Sequence, residues 1–230
     1  MNALQKQPRE ATLSNVFGTA NLVDAAVKNG VSKFVNISTD KAAEPRNVLG
    51  YSKKLAELYV ASARALGHIG YTSCRFGNVF NSKGSVIETF TQQIKLGLPV
   101  TLTDPEVNRF FMKIEEAANL SLLASAINEG DVHILDMGDP VKLIDIVRKM
   151  LQILDGKSKI EIVGLRKGEK IQEELWSSQE NLLPTSMEGI KALNLVISKR
   201  LVSDFAENPL TDLEAISEIN RFIGGSKVGM

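Results

Sequence analysis

Apolar segments of two kinds alternate along most of this chain, and the alternation limits the folds that it can adopt. Short strand-like runs such as 34–37 and 71–76 alternate with longer segments, such as 8–28 and 48–66, whose apolar residues recur at helical spacing. The connections between them are short. Because parallel strands need a crossover connection, usually a helix, this order predicts an α/β fold with a parallel sheet covered by helices.

The same pattern continues beyond the first two strands. Turn residues become frequent after Gly77, which suggests a second lobe with shorter elements. The stretch 176–192 is irregular and is interpreted as a surface excursion before a last helix near 213–222. The remaining predicted elements are helices over 86–96, 115–127 and 143–154 and strands over 100–103, 132–137 and 160–163.

Charge and composition exclude several classes of function. The chain carries 27 basic and 27 acidic side chains, so no net field favours nucleic acid or an anionic membrane as a partner. The single cysteine, Cys74, cannot form an internal disulfide and is interpreted as a buried thiol. Neither histidine has the spacing of a metal site. Without a run of 18 or more apolar residues, a cytoplasmic location is expected.

A group of polar residues follows the strand at 34–37. Asp40 and Lys41 place a carboxylate beside an ammonium group where the strand ends, which is the edge at which open α/β sheets bind ligands. Such a pair can act as general acid and general base. The alternative is a solvated turn in which Asp40 caps a helix. A loop comes next, and it is followed by a helix that begins near Asn47 and carries Lys53.

Other polar residues stand out by their position. Asn15 lies within a predicted helix, where an amide side chain is unfavourable unless it makes a specific contact. Arg75, Arg109 and Arg166 are presented singly from three loops, and guanidinium groups bind diphosphate or carboxylate groups in a bidentate manner. The alternative for each arginine is a surface salt bridge.

Six motifs, taken in order, resemble the extended short-chain dehydrogenase/reductase superfamily. More narrowly, they are similar to its nucleotide-sugar 4,6-dehydratase branch, the CapD-type polysaccharide biosynthesis proteins, which act like UDP-N-acetylglucosamine 4,6-dehydratases. The resemblance covers about residues 11 to 175. Its motifs are NVFGT, FVNISTDKAAEPRNVLGYSKKLAE, RFGNVFNSKGSVI, PVTLTDPEVNRFFM, ILDMGDPVKLIDI and GLRKGEKIQEEL.

The resemblance implies a partial Rossmann-type parallel sheet with a smaller α/β substrate-binding lobe. Residues 1–80 correspond to the C-terminal half of a dinucleotide-binding domain. Residues 81–200 correspond to the nucleotide-sugar lobe, with helix 115–128 packing back on the Rossmann part, and 201–230 to a terminal helix and tail.

In this family NAD or NADP takes a hydride from sugar C4, water is lost across C5 and C6, and the hydride returns to C6. The resemblance implies that Asp40 protonates the departing C6 hydroxyl and that Lys41 removes the C5 proton. It implies that Thr39 bonds the C4 oxygen, that Lys53 holds the nicotinamide ribose and that Asn15 orders a relay water.

The family pattern also assigns binding residues. Ser38 and Arg75 are assigned, together with Lys53, to the cofactor. The residues assigned to the UDP-sugar are Asn78, Ser85, Val86, Arg109, Arg166 and Glu169.

Two departures from the family pattern shape the expectations. Leu49 stands where the active-site tyrosine is usual, so Thr39 or an ordered water must relay the C4 hydroxyl proton. Tyr51 lies two residues along the helix and points to nearly the opposite face.

The other departure is that no GxGxxG phosphate-binding loop is present. The chain therefore reads as N-terminally truncated, and we expect calorimetric titration to find weak NAD(P) binding or none.

Several hypotheses about function and partners remain. The chain is a dehydratase whose Rossmann half comes from another polypeptide, a non-catalytic remnant that binds nucleotide sugar, or a UDP-sugar epimerase of the same superfamily. The resemblance is compatible with a homo-oligomer formed through helices 8–28 and 48–66. From the charge balance and the lack of a long apolar run, no nucleic-acid or membrane partner is expected.

Overall fold

The computed structural model describes residues 2–80, 82 and 84–196. The helix predicted near 213–222 lies outside these residues. Contacts divide the described chain into two units, each built from separated segments. The first comprises 2–75, 120–136 and 174–196, and the second comprises 76–119 and 137–173. The stretch 174–196 thus groups with the first unit, although the family pattern assigned it to the substrate lobe.

The elements follow the predicted alternation closely. The helices are α1 (Asn2–Lys6), α2 (Pro8–Ala11), α3 (Gly18–Lys28), α4 (Val48–Ala65), α5 (Val86–Lys95), α6 (Ile114–Ala126) and α7 (Leu143–Ile153). The strands are β1 (Phe34–Thr39), β2 (Tyr71–Phe76), β3 (Asn78–Val79), β4 (Val100–Leu102), β5 (Asn108–Arg109), β6 (Phe111–Met112), β7 (Val132–Leu135), β8 (Val141–Lys142), β9 (Ile160–Ile162), β10 (Leu183–Pro184) and β11 (Ile190–Leu193).

A five-stranded sheet, in the order β1-β2-β7-β11-β10, organises the first unit. Strands β2 and β7 are parallel, with Cys74 opposite His133, as the alternation predicted. Strands β11 and β10 extend the sheet in antiparallel pairing. The interpretation of 176–192 as a surface excursion is therefore wrong in part. Ile190, Ala192 and Leu193 are buried, and their burial draws this short segment into the sheet.

Helices α3 and α4 pack together and bury the apolar positions that recur every three or four residues along each. The buried cluster that results is Val23, Ala26, Tyr59, Val60, Ala63 and Tyr71. These helices flank β1. The cluster therefore holds the strand that leads to Asp40 against the helix that carries Lys53.

The second unit has its own core and three small pairs of strands. Strands β3 and β6 are parallel, as are β4 and β9, and β5 is antiparallel to β8. Helices α5 and α7 cover β4 through one buried cluster. Its members are Phe90, Ile94, Val100, Leu102, Val107, Leu143 and Val147. The predicted lobe after Gly77 therefore has a separate hydrophobic core.

His133, in β7, is fully buried in the first unit. Its Nε2 lies 2.6 Å from the Glu129 carbonyl oxygen and its Nδ1 lies 3.3 Å from Thr72 Oγ1. Burial lowers the pKa of His133 below its ordinary value of 6.5. Below that pH the unfolded chain binds more protons at this site than the folded protein does, so stability falls as the pH falls.

We expect His133→Gln to remove this part of the acid sensitivity. Between about pH 7.5 and about pH 5.5 the parent should lose up to about 1.4 kcal/mol of unfolding free energy per pH unit more than the variant. Urea denaturation at the two pH values measures the difference. Equal pH dependence in the parent and in His133→Gln would contradict the prediction.

Candidate active site

The polar turn after β1 brings Thr39, Asp40 and Lys41 into direct contact. The strand ends at Thr39, and a single 3₁₀ turn spans Asp40–Ala42. Asp40 Oδ1 accepts hydrogen bonds from Thr39 Oγ1 at 2.8 Å, from the Lys41 backbone N–H at 2.9 Å and from Lys41 Nζ at 2.9 Å. One carboxylate oxygen thus links the hydroxyl and the ammonium group.

The second oxygen of Asp40 is different. The Asp40 residue is only 1% exposed, and Oδ2 is buried with no hydrogen-bond partner among the residues the structure describes. A buried acceptor without a partner costs about 1–3 kcal/mol, and more if it is charged. A hydrogen bond from a hydroxyl group of a ligand would remove that cost. Such an oxygen therefore suits a group that transfers a proton.

Helix α4 is packed tightly against this turn. Asn47 caps the helix, its side-chain oxygen accepting the Gly50 N–H at 3.0 Å. A Cβ atom at Gly50 would overlap the Lys41 carbonyl oxygen and lie 3.2 Å from Pro45 Cα. The absence of a side chain at Gly50 therefore sets the distance between the helix and the Asp40–Lys41 pair.

We expect Gly50→Ala to destabilise the protein by about 1–3 kcal/mol, because overpacking outweighs the gain in helix propensity. Gly18 in α3 is the matched control, since a Cβ atom there would meet only the Leu13 carbonyl oxygen, at 3.6 Å. Gly18→Ala should stabilise the helix by up to about 1 kcal/mol. Thermal unfolding compares the two, and equal effects would refute the close packing at Gly50.

Lys53 lies in α4 and reaches back to β1, where its Nζ donates a hydrogen bond to the Ile37 carbonyl oxygen at 2.8 Å. Burial lowers the pKa of the Lys53 ammonium, and the Glu57 carboxylate opposes that shift. Leu49, one helical turn before Lys53, presents no proton donor or acceptor on its side chain. Lys53 thus contacts β1 two residues before Thr39, and the hydroxyl, carboxylate and ammonium groups of the turn belong to residues 39–41.

Asn15 is also brought to α4. The helix predicted over 8–28 contains a π-helical turn, Thr12–Phe17, between α2 and α3. Asn15 Nδ2 donates to Ser52 Oγ at 2.9 Å, and Ser52 Oγ donates to the Leu49 carbonyl oxygen at 3.0 Å. Wide turns of this kind are frequent at functional sites. Asn15 is thereby fixed next to the residue that precedes Lys53.

The side chains of Arg75 and Ser38, which the family pattern assigned to the cofactor, both have internal partners in this structure. The Arg75 side chain is 0% exposed, and all five of its N–H groups have partners. These partners are Glu57 at 3.0 and 2.6 Å, Glu180 at 2.8 and 3.2 Å and the Leu175 carbonyl oxygen at 3.0 Å. Ser38 is buried and donates its hydroxyl proton to Glu57 Oε1 at 2.5 Å. Both residues support the fold from within.

Three residues assigned to the sugar nucleotide meet in the second unit. Arg109 is 6% exposed, and its Nη1 donates to the Asn108 and Ile171 carbonyl oxygens at 2.6 and 3.0 Å. Its Nη2 lies 3.4 Å from Glu169 Oε1, and the Arg166 backbone N–H donates to Glu169 Oε2 at 3.2 Å. The Arg166 side chain is exposed. Glu169 therefore holds both arginine segments together.

The other assigned residues of the second unit lie apart in sequence from that cluster. Asn78 is half-buried and pairs with Phe111 between β3 and β6. Ser85 caps α5 by accepting the Glu88 N–H at 3.3 Å, and Val86 begins that helix. Ser85 thus has a structural role that the sequence assignment did not include.

Sequence reasoning missed three polar residues with central contacts, namely Ser52, Glu57 and Glu180. The buried contacts of Glu57 could have been predicted from the sequence, because this charged residue falls one helical turn after Lys53 among the apolar positions of α4. Nothing local marks Glu180, whose carboxylate binds Arg75 and, at 2.6 Å, Lys54.

Within 2–80, 82 and 84–196, no three His, Cys, Asp or Glu side chains form a group that could hold a metal ion. In the same part of the chain, none of the helices has the length and apolar character of a bilayer span. Burial raises the pKa of Cys74 to about 12, so its thiol stays protonated.

Comparison with known sequences relates the chain to proteins of polysaccharide biosynthesis. A family model described as "Polysaccharide biosynthesis protein" matches residues 1–194. The capsular polysaccharide biosynthesis protein CapD of Staphylococcus aureus is 43% identical over 182 residues, which are 77% of this chain and 30% of CapD. A UDP-glucose 4-epimerase of Rickettsia rickettsii is 42% identical over 178 residues, 75% of this chain and 52% of the epimerase. The chain thus spans about a third to a half of these relatives.

Solved structures give the same picture of the fold. Pen from Bacillus thuringiensis is 34% identical, with a TM-score of 0.77 over 94% of this chain and 70% of Pen. A UDP-glucuronic acid 4-epimerase from Bacillus cereus, solved with UDP-glucuronic acid and NAD, has a TM-score of 0.62 over 92% of this chain and 67% of that protein. At 16% identity the epimerase shows likeness of fold alone.

Proposed function

The chain belongs to the polysaccharide biosynthesis protein family of extended short-chain dehydrogenase/reductases, and from this we propose that it takes part in the 4,6-dehydration of a UDP-N-acetylhexosamine. One observation carries the proposal, namely the contact of Asp40 with both Thr39 and Lys41 while its other oxygen is buried and unpartnered. Dehydration needs an acid at C6 and a base at C5, and this turn supplies both types of group.

The chemistry that NAD(P) supplies when bound is hydride acceptance from C4 and hydride return to C6. Lys53 fits a role in holding the ribose, since an ammonium group has three donors and one is used on Ile37. Thr39 Oγ1 accepts the C4 hydroxyl proton as it passes its own proton to Asp40 Oδ1, 2.8 Å away. This relay replaces the tyrosine absent at Leu49 and leaves Asp40 protonated.

Elimination then uses the same turn. Lys41, as the free amine, removes the C5 proton, whose acidity is raised by the C4 ketone. The C6–O bond breaks, and Asp40 delivers its proton to the departing hydroxyl, so that water leaves and a C5–C6 double bond forms. Lys41, now an ammonium ion, returns this proton to C5 as the hydride returns to C6, so that Asp40 and Lys41 end in the forms in which they began. The 2.9 Å contact between Lys41 Nζ and Asp40 Oδ1 keeps the base beside the acid.

The remaining assignments have supporting roles. Asn15, held by Ser52, would order a relay water beside Thr39. Arg109 and Arg166, joined through Glu169, would contact the diphosphate of the UDP group with their remaining donors. Asn78, Ser85 and Val86 would line the nucleotide pocket of the second unit.

A 4-epimerase activity is the second candidate, and the 42% identity to the Rickettsia rickettsii epimerase favours it. Epimerisation returns the hydride to C4 on the opposite face and needs neither an acid at C6 nor a base at C5. The Asp40–Lys41 contact would then have no chemical use. A third candidate, a non-catalytic chain that binds nucleotide sugar, would show binding without turnover.

Proton NMR of the chain with UDP-N-acetylglucosamine and NAD(P) separates these candidates. The reaction is run with and without a separately expressed dinucleotide-binding half from a relative, which the proposal allows as a partner chain. We expect a C6 methyl signal from a 4-keto-6-deoxy sugar. A C4 epimer as the sole product would establish the epimerase, and an unchanged sugar under both conditions would refute the dehydratase.

A further inference from the structure

Glu57 lies at the centre of a buried ionic network in the first unit. Its Oε1 accepts hydrogen bonds from Ser38 Oγ at 2.5 Å and Arg75 Nε at 3.0 Å, and its Oε2 accepts one from Arg75 Nη2 at 2.6 Å. The side chains of Glu57 and Arg75 are both 0% exposed. Burying a charge in this way is costly unless it is paired, and the bidentate guanidinium of Arg75 supplies the pairing.

Two contacts tie the end of β1 to α4, and Glu57 makes one of them. Lys53 Nζ bonds the carbonyl oxygen of Ile37, and Glu57, one helical turn further along α4, bonds the hydroxyl of the next residue, Ser38. Thr39 follows directly. The two contacts together therefore fix the strand end that presents the reacting turn.

We propose that Glu57 is a positioning residue, which anchors the end of β1 through Ser38 and places a carboxylate one helical turn from Lys53. The proposal rests on the proposed function, because Lys53 must be charged to hold a ribose through three donors. Arg75 acts indirectly, because its two hydrogen bonds hold the Glu57 carboxylate in place.

The electrostatics around Lys53 support this assignment. Burial lowers the pKa of Lys53, and Glu57 is the carboxylate that raises it. Charged groups on the neighbouring elements are paired with one another or lie at the surface. Asp40 pairs with Lys41, and Asp24 accepts the Tyr59 hydroxyl. Lys54 and Arg75 bind Glu180, and Lys54 Nζ also lies 3.8 Å from Glu57 Oε2. Lys6, Arg9 and Glu10 are exposed.

The test measures the charge state of Lys53 directly, with Glu57→Gln as the variant. Competitive acetylation of the 230-residue chain across pH, read by mass spectrometry, gives the pKa of the Lys53 amine from the shape of its pH profile. We expect the pKa to fall in Glu57→Gln, so that the free-amine fraction at a given alkaline pH rises about tenfold for each unit lost. Circular dichroism checks that the variant is folded.

Glu180→Gln is the matched control, since it also removes a carboxylate from Arg75 but not the one that acts on Lys53. The pKa of Lys53 should be unchanged in this variant. If Glu57→Gln leaves Arg75 uncompensated and fails to fold, the double variant Glu57→Gln with Arg75→Gln restores a neutral pair and should still show the lowered pKa.

An unchanged pKa of Lys53 in folded Glu57→Gln, or in the double variant, would overturn the proposal. Failure of both to fold would overturn it too, because Glu57 would then serve the fold alone. The measurement needs neither cofactor nor sugar. A lowered pKa of Lys53, together with an unchanged sugar both with and without the dinucleotide-binding half, would therefore refute the dehydratase and leave the effect of Glu57 on Lys53 intact.

Discussion

Replacing Asp40 by Asn is expected to slow the loss of water from C5 and C6 by about 10²- to 10⁴-fold, the usual contribution of a general acid. Asn keeps the size of the side chain and can still accept from Thr39 and Lys41, so the turn should stay folded. It cannot, however, deliver a proton to the C6 hydroxyl. The effect should fall on elimination rather than on binding.

The elimination step can be followed without hydride transfer by giving the chain a UDP-4-keto-N-acetylhexosamine in D₂O. Lys41→Met should abolish deuterium exchange at C5, because it removes the base. Asp40→Asn should retain exchange and lose water elimination. Asp145→Asn, which alters an exposed carboxylate paired with Arg148, is the control and should change neither. Elimination at the parent rate in Asp40→Asn would show that another group is the acid.

Replacing Arg75 by Met is expected to lower the free energy of unfolding by about 3–5 kcal/mol, the cost of leaving buried charge without its partner. Glu57 and Glu180 would each lose two charge-assisted hydrogen bonds, and the Leu175 carbonyl oxygen would lose its donor. Few single substitutions on the surface approach this size.

Arg166→Met provides the comparison, because the Arg166 side chain is exposed and its loss should change stability by no more than about 0.5 kcal/mol. Urea denaturation of both variants at neutral pH gives the two values. A stable Arg75→Met variant that has lost only ligand affinity would restore Arg75 as a ligand-binding residue. Equal destabilisation by Arg75→Met and Arg166→Met would also contradict the prediction.

Local patterns in the sequence were sufficient to predict most of the elements. Helix α4 was predicted over 48–66 and spans Val48–Ala65, because its apolar spacing and the Asn47 cap are both encoded within one segment. The grouping of Thr39, Asp40 and Lys41 was equally local. Local patterns did not predict the π-helical turn at Asn15. The contact of Asn15 with Ser52 joins residues 37 positions apart.

Arg75 shows why the remaining site assignments were harder. A polar residue at the end of a strand either faces a ligand or is buried among partners, and only distant residues decide between the two. The partners of Arg75 are Glu57, 18 positions before it, and Glu180, 105 positions after it. The pairing of β11 with β7 has the same origin, since it depends on burial of Ile190 and Leu193 rather than on any local signal.

The division of the first unit into separated segments also bears on how the protein is made. During synthesis the second unit, 76–119 and 137–173, emerges whole before residues 174–196, which contain β10 and β11. Until then β7 lacks its antiparallel neighbour and the guanidinium of Arg75 lacks Glu180. Contacts of such long sequence separation form slowly. The ribosome-bound chain should therefore complete its second unit first and hold the segment bearing Asp40 in an unfinished sheet until residue 193 has left the exit tunnel.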